Sequence, residues 1–133
     1  MPSISITTDP SRIDIDAALA LLRQTYWAKA MPREKLAKAL EHSLCFGMLD
    51  GDTLVGLARV VTDRATYAYL TDVVIDPSRR GQGLAHRLMD EILGHADLQG
   101  LRRFALITSD AMRLYEEFGF SVGSGQLTYM ERR

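Results

Sequence analysis

The fold is decided by residues 67–93, which read YAYLTDVVIDPSRRGQGLAHRLMDEIL. Their first third is mostly apolar, aromatic or β-branched and predicts a buried strand that ends at Asp76–Pro77. After two glycines, Leu84, Leu88 and Ile92 recur at helical spacing and predict an amphipathic helix. The stretch therefore predicts a strand, a glycine loop and a long helix in direct succession.

A β-hairpin is predicted immediately upstream. The pair Asp50–Gly51 stands between two extended apolar runs, 44–49 and 53–61. Because this pair tolerates positive φ, it is a strong hairpin signal. A polar turn at 63–66 then leads into the strand at 67–75, so the three strands form an antiparallel meander.

Two helices are predicted closer to the N-terminus. A short strand around Ile4 and Ile6 comes first, Asp14 can cap the first helix, and Pro32 suits the opening turn of the second. Helical spacing predicts the inward face of the first helix, which consists of Ile15, Ala18, Leu19, Leu22 and Tyr26.

The remaining elements complete one domain. Downstream of the long helix, the pattern predicts a strand at 104–107, a helix at 111–118 closed by Gly119, and a last strand at 127–130. The chain has 133 residues, of which 47% are hydrophobic and 25% charged, as in an ordinary globular domain. We therefore expect a single mixed α/β domain over residues 1–133.

Charge and cysteine content exclude several functional classes. The net charge is −1 and no basic stripe is present, so neither nucleic acid nor an anionic membrane is an expected partner. One cysteine, Cys45, cannot form an internal disulfide and is expected to pack as a small hydrophobe. The first residues lack the pattern of a secretory signal, so a soluble cytoplasmic protein is expected. His42, His86 and His95 lack the spacing of metal ligands, and no metal site is predicted.

The glycine loop suits a phosphate. At the start of the predicted helix, backbone N–H groups lack intrahelical acceptors, and Gly81 and Gly83 let a ligand approach the backbone closely. Together with Arg79 and Arg80 this predicts a diphosphate site, the alternative being a solvated turn. No P-loop sequence occurs, and His86 stands where a dinucleotide fingerprint requires a small residue.

Two separate motifs carry a resemblance to a known family. Arg80, Gly83 and Ala85 match a loop pattern of Arg or Gln, two residues, Gly, one residue, and Gly or Ala. Residues 111–120, AMRLYEEFGF, contain an Ala, a Leu–Tyr pair and a Gly–Phe that close the last helix. On these residues the sequence resembles the GNAT superfamily of acetyl-CoA-dependent N-acetyltransferases, and the order of elements agrees over nearly the whole chain.

The resemblance implies a fold and a reaction. The fold is GNAT-like: a central, mostly antiparallel, twisted sheet of about six to seven strands, flanked by about four helices, with the fourth and fifth strands splayed apart. The implied reaction moves an acetyl group from acetyl-CoA to a primary amine by direct attack in a ternary complex. A small metabolite or amino acid is the expected acceptor, and a peptide N-terminus, a lysine or a polyamine is the alternative. The rival interpretation is a non-catalytic module that binds or senses acyl-CoA. Similar proteins often form homodimers, which this sequence does not fix.

The resemblance also assigns residues to acetyl-CoA. Backbone groups of the glycine loop would hold the pyrophosphate, two arginines would add charge, and the end of the fourth strand would bind the pantetheine arm through its main chain. Thr108 stands where many members have asparagine. The implied set is Val73, Val74, Ile75, Arg79, Arg80, Gly81, Gln82, Gly83, Leu84, Ala85 and Thr108.

Tyr115 aligns with the tyrosine that protonates the departing thiolate in similar enzymes, the alternative being an aromatic packed beside Phe118. The general base is left open. Tyr69 and Thr71 share one face of the fourth strand and would hold water, since neither is a good base at neutral pH. Period-two alternation places Asp72 on the opposite face, as a buried hydrogen-bonding residue.

The resemblance also implies that the connection between the first two helices covers the acceptor side of the active site. Tyr26 and Trp27 could cap an amine or its side chain, whereas Arg33 or Arg59 could clamp a carboxylate. Packing and surface solvation are the alternatives for all four residues.

Overall fold

A computed structural model of the chain describes residues 3–123 and 125–133. The described strands are β1 (Ile4–Thr7), β2 (Leu44–Asp50), β3 (Thr53–Thr62), β4 (Tyr67–Ile75) and β5 (Arg103–Leu106). The described helices are α1 (Ile15–Leu22), α2 (Arg33–Glu41), α3 (Leu84–Gly94) and α4 (Met112–Glu116). Single 3₁₀ turns lie at Pro10–Arg12, Pro77–Arg79 and Ala96–Leu98. None of these helices is long and apolar enough to cross a membrane.

The strands form one sheet in chain order, β1-β2-β3-β4-β5. The first four strands are antiparallel, and β5 lies parallel to β4 because α3 crosses over between them. The predicted meander over β2, β3 and β4 is confirmed. The number of strands is not: the described residues form five, against the six to seven expected.

The predicted strand at 127–130 is wrong. These residues lie outside the sheet, and Leu127, Tyr129 and Met130 are each at least 69% exposed. An alternating pattern makes a strand only where a neighbouring strand and a core can pair with it and cover it. Within the described residues, no strand pairs with residues 127–130 and no core covers them.

Two hydrophobic cores lie on opposite faces of the sheet. One core forms against α3 and α4, around Phe46, Leu88 and Met89. The other forms against α1 and α2, around Leu22 and Leu36. Each helix therefore buries one apolar stripe against the sheet, as the helical spacing predicted.

Helix α1 is shorter than its apolar pattern. Asp14 caps it as predicted, since its side chain accepts a hydrogen bond from the Ala17 N–H at 2.9 Å. The helix ends at Leu22. The Thr25 hydroxyl donates a hydrogen bond to the Leu22 carbonyl at 2.6 Å, in place of a further helical turn. Tyr26 is consequently outside the helix and 61% exposed, which corrects its predicted inward position.

A β-bulge in β4 changes which side chains face which core. Leu57 pairs with Val74 and Arg59 with Thr71, so Ala58 alone opposes both Asp72 and Val73. Asp72 takes φ 54°, in the left-handed region that Asp tolerates better than most residues. The extra residue reverses the alternation of the strand beyond it.

The bulge corrects the predicted orientation of Asp72. Before it, Ala68 and Leu70 pack on the α3 side; after it, Val74 packs on the α1 side instead. Asp72 itself reaches Arg59, which shares the α1 face with Thr71. Its prediction as a buried hydrogen-bonding residue agrees with a 7% exposed fraction, but the predicted opposite face is wrong.

The parallel pairing of β4 and β5 is short. It begins at Tyr67–Arg103 and stops at Leu70–Leu106. Beyond that point, the described part of the chain pairs 71–75 with β3 alone. The two strands therefore separate at their C-terminal ends, as expected, and the gap between 71–75 and the residues after β5 is called the slot below.

Candidate active site

The glycine loop leaves the start of α3 open. Gly83 is the N-cap residue of α3, with φ 73°, and no side chain within the described residues caps the helix. A Cβ built on Gly81 or Gly83 would meet nothing within 4 Å. The first N–H groups of α3 therefore face open space, where the helix dipole favours an anion.

The two loop arginines have different surroundings. Arg79 forms an ion pair with Asp50, the last residue of β2, and Asp50 also accepts from the Ser3 N–H at 3.1 Å. The hydrogen bond from Arg79 lowers the pKa of the Asp50 carboxyl. Arg80 is exposed, and the described residues give it no ion-pair partner. Arg79 thus anchors the loop, and Arg80 is free to meet a ligand.

The other residues assigned to acetyl-CoA lie around the same slot. Val73 and Ile75 pack on the α3 core and Val74 on the α1 core, so only their main chain can bind a ligand as an added strand does. Gln82 is exposed, Leu84 is buried and Ala85 is half-buried. The Thr108 hydroxyl accepts from the Ala111 N–H at 3.0 Å, at the start of α4.

Tyr115 lies on α4 with its ring in the core beside α3. It is 9% exposed, and its ring centroid is 6.1 Å from that of Phe120. Burial raises the pKa of the Tyr115 phenol, and the negative charge of Asp110 raises it further. The phenol therefore keeps its proton at neutral pH, as a general acid must.

The connection between α1 and α2, residues 23–32, is tied to both sides of the slot. Trp27 Nε1 donates to Asp72 Oδ1 on β4 at 3.2 Å. The Tyr26 hydroxyl is hydrogen-bonded to the hydroxyl of Ser109, three residues beyond β5. The two rings meet edge to face, with centroids 5.1 Å apart and planes at 85°. This connection therefore crosses the mouth of the slot, where the sequence placed the acceptor.

Both predicted acceptor arginines are already paired. Arg59 Nε donates to Asp72 Oδ2 at 2.9 Å, and Arg59 also donates to the Ser43 hydroxyl at 3.2 Å. Arg33 binds Asp16 through two hydrogen bonds on the exposed outer side of α1 and α2. The structure brings Arg59 close to Trp27 through Asp72, whereas Arg33 belongs to a surface ion pair.

Tyr69 and Thr71 lie on the same face of β4, and the Thr71 side chain is close enough to lower the pKa of the Tyr69 phenol. Burial is the main cause that raises the pKa of the Tyr69 phenol, and the ionised form of Tyr129 would raise it further. Tyr69 is therefore protonated at neutral pH and accepts no proton from an amine. The prediction that neither residue is a good base is consistent with this pKa.

The structure adds residues that the sequence did not single out. Asp50, Ser43 and Ser109 each bind a predicted site residue, and Asp110 raises the pKa of Tyr115. Ser109 and Asp110 lie directly before the recognised motif at 111–120. This proximity was the only feature of the sequence that could have pointed to them. Asp50 was recognised only as a turn residue.

Residues 3–123 and 125–133 contain no cluster of three or more metal-ligating side chains. His86 is hydrogen-bonded to Glu117 at 2.6 Å, and His95 accepts from the Asp97 N–H at 3.0 Å. Both histidines thus have partners at helix ends.

Cys45 is expected to resist thiol reagents in the folded protein. It is 7% exposed on the α1 face, and burial raises the pKa of its thiol to about 11. Since the thiolate is the reactive form, its reaction with a disulfide reagent at pH 8 should be roughly 100-fold slower than in denaturant, and faster as pH rises. Equal rates in buffer and in 6 M guanidinium would contradict this burial.

Comparisons with known proteins agree with this geometry. The model of the Acetyltransferase (GNAT) family matches residues 15–120. A Gibberella zeae protein named as an acetyltransferase is 38% identical over 133 aligned positions, which cover 83% of this chain and 74% of that protein. The chain spans only 41% to 57% of four further curated relatives.

Solved structures extend the likeness to the whole chain. A crystal structure of a GNAT family protein from Xanthomonas campestris has a TM-score of 0.94 and 46% identity, and covers 100% of this chain and 94% of that chain. N-acetylglutamate synthase from Neisseria gonorrhoeae, complexed with coenzyme A and N-acetyl-glutamate, shares the fold with a TM-score of 0.76 at 21% identity, over 96% of this chain and 30% of that chain. The open start of α3, the slot beside β4 and the match over 15–120 lead to one conclusion: the chain belongs to the GNAT family of acetyltransferases.

Proposed function

We propose that the chain transfers an acetyl group from acetyl-CoA to a primary amine by direct attack in a ternary complex. The observation that carries the proposal is the uncapped start of α3, which faces open space beside the slot between β4 and β5. The Neisseria protein binds coenzyme A in the same fold, which supports this choice of donor.

The loop fits a diphosphate by its chemistry. Backbone N–H groups of residues 81–85 would bind the pyrophosphate oxygens, and Arg80 would add a positive charge. Arg79 would act indirectly, by holding the loop against Asp50. The pantetheine arm would lie along 73–75, whose main chain lacks a neighbour on the β5 side within the described residues.

The acetyl thioester supplies an activated carbonyl. The amine nitrogen forms the new C–N bond, the C–S bond breaks, and the phenol of Tyr115 gives its proton to the departing sulfur. The attacking amine loses its own proton to water, because Tyr69 and Thr71 are not bases and both carboxylate oxygens of Asp72 are hydrogen-bonded. Tyr115 recovers its proton from water before the next turnover.

Gly83→Ala is expected to weaken acetyl-CoA binding by roughly tenfold or more. The added methyl group would fill open space at the N-cap of α3, beside the proposed diphosphate site, and alanine is strained at φ 73°. Titration calorimetry with acetyl-CoA measures the affinity. Gly100→Ala is the matched control, because Gly100 has φ 68° and equally open surroundings in the link between α3 and β5. Equal affinity losses in both variants would mean that strain, not access to the loop, is responsible.

Calorimetry and catalysis together separate the enzyme from the rival binding module. The proposal expects acetyl-CoA to bind the wild-type chain and an amine to release free thiol from it. Tight binding without thiol release from a broad amine panel would favour the module. No binding of acetyl-CoA would contradict both interpretations.

A further inference from the structure

The charges around the acceptor side restrict the class of acceptor. A substrate carboxylate needs a cation that is free to bind it, and Arg59 and Arg33 were the two candidates. Arg59 shares its guanidinium between Asp72 and Ser43, and its side chain is 18% exposed. Arg33 is held by Asp16 on the outer side of the helices. Each arginine is therefore neutralised by a carboxylate of the chain itself.

An aromatic corner remains available at the same place. Tyr26 and Trp27 are 61% and 48% exposed, and their perpendicular rings form two walls at the mouth of the slot. Both rings are fixed through their polar atoms, by Ser109 and Asp72, so the ring faces outside their mutual contact are left for a ligand. Such a corner favours an aryl or alkyl group and adds a cation–π attraction for an ammonium.

A negative charge lies close to Tyr115. Asp110 is exposed, and it lies close enough to Tyr115 to raise the pKa of the phenol. A carboxylate at this point attracts a protonated amine and repels a substrate carboxylate. Charge and apolar surface thus favour the same kind of acceptor.

We infer that the acceptor is a primary amine on an uncharged apolar group, aryl or alkyl, without a carboxylate beside the amine. This inference rests on the proposed function. It excludes an amino acid, which the sequence analysis had included among the expected acceptors. An α-amino acid would have to bring its carboxylate against aromatic rings and Asp110, while Arg59 and Arg33 are already paired with carboxylates of the chain.

The test compares two amines that differ only in the carboxylate. Thiol release from acetyl-CoA is measured with 2-phenylethylamine and with phenylalanine, and kcat/KM is expected to be roughly 100-fold higher for 2-phenylethylamine. Spermidine serves as a third acceptor, cationic along its length. Phenylalanine or spermidine as the better acceptor would overturn the inference while acetyl transfer itself stands. No transfer to any amine would overturn the proposed function, and the acceptor class with it.

Variants locate the preference in the structure. Trp27→Ala should raise KM for 2-phenylethylamine by roughly tenfold without changing the affinity for acetyl-CoA. Tyr67→Ala, which removes an exposed aromatic at the opposite end of β4, should change neither value. Equal effects of both variants would contradict the aromatic corner. Lys29 is an exposed cation in the same connection, and loss of phenylalanine acetylation in Lys29→Gln would also overturn the inference.

Discussion

Replacing Tyr115 by phenylalanine is expected to lower kcat by roughly 100-fold, the lower end of the range for general acid catalysis. The substitution keeps the ring in the α3 core and removes only the hydroxyl that would protonate the leaving sulfur. Acetyl-CoA affinity should therefore stay near the wild-type value, since the loop at 81–85 is unchanged. Steady-state thiol release with a good amine gives kcat, and calorimetry gives the affinity.

The pH profile distinguishes an acid from a packing residue. Burial and Asp110 raise the pKa of Tyr115, so the phenol loses its proton only above its ordinary pKa of about 10. The alkaline limb that Tyr115 contributes should therefore lie above pH 10 in the wild type and be absent in Tyr115→Phe. Tyr67→Phe is the matched control, because Tyr67 is 43% exposed and far along β4 from the slot. A wild-type kcat in Tyr115→Phe would show that Tyr115 is not the acid.

Asp72→Ala is expected to lower the free energy of unfolding by about 3–5 kcal/mol, the usual cost of breaking one side of a buried ion pair. The Asp72 and Arg59 side chains are only 5% and 18% exposed, so Arg59 would be left buried without its counter-charge. Alanine also tolerates φ 54° less well than aspartate. The total free energy of unfolding of a small domain is about 5–15 kcal/mol, so this loss is large. Denaturant unfolding measures it.

An exposed pair of the same type provides the control for Asp72. Asp16→Ala breaks the Asp16–Arg33 pair, whose side chains are 68% and 55% exposed, and should change stability far less. Asp72→Asn should fall between the two, because asparagine accepts the left-handed backbone and keeps one acceptor oxygen. If Asp72→Ala loses no more stability than Asp16→Ala, the buried pair does not stabilise the fold.

Local patterns in the sequence predicted most of the fold. The hairpin at Asp50–Gly51, the cap at Asp14 and the apolar stripe of α3 each follow from neighbouring residues, and each is confirmed. The terminal strand at 127–130 failed because its alternation says nothing about whether a neighbouring strand is available. The extent of α1 failed because Thr25 ends the helix through a side-chain hydrogen bond that competes with it.

The candidate site was less accessible to sequence reasoning than the fold. The glycine loop and Tyr115 were found because their residues are contiguous and match motifs. The carboxylate partners of the arginines were not found from the sequence, because Arg59 and Asp72 are 13 positions apart and Arg79 and Asp50 are 29 positions apart. Nothing in the sequence predicts the bulge, so regular alternation placed Asp72 on the wrong face.

The bulge also constrains how genes for such a chain can change in length. Its surplus residue is what lets Asp72 reach Arg59 while the following valine still faces the α3 core. A deletion of one codon at this point would restore regular pairing, but it would either remove Asp72 or place it opposite Ala58 on the α3 core, away from Arg59. We therefore expect lineages to tolerate many substitutions in β4 but neither a codon gain nor a codon loss.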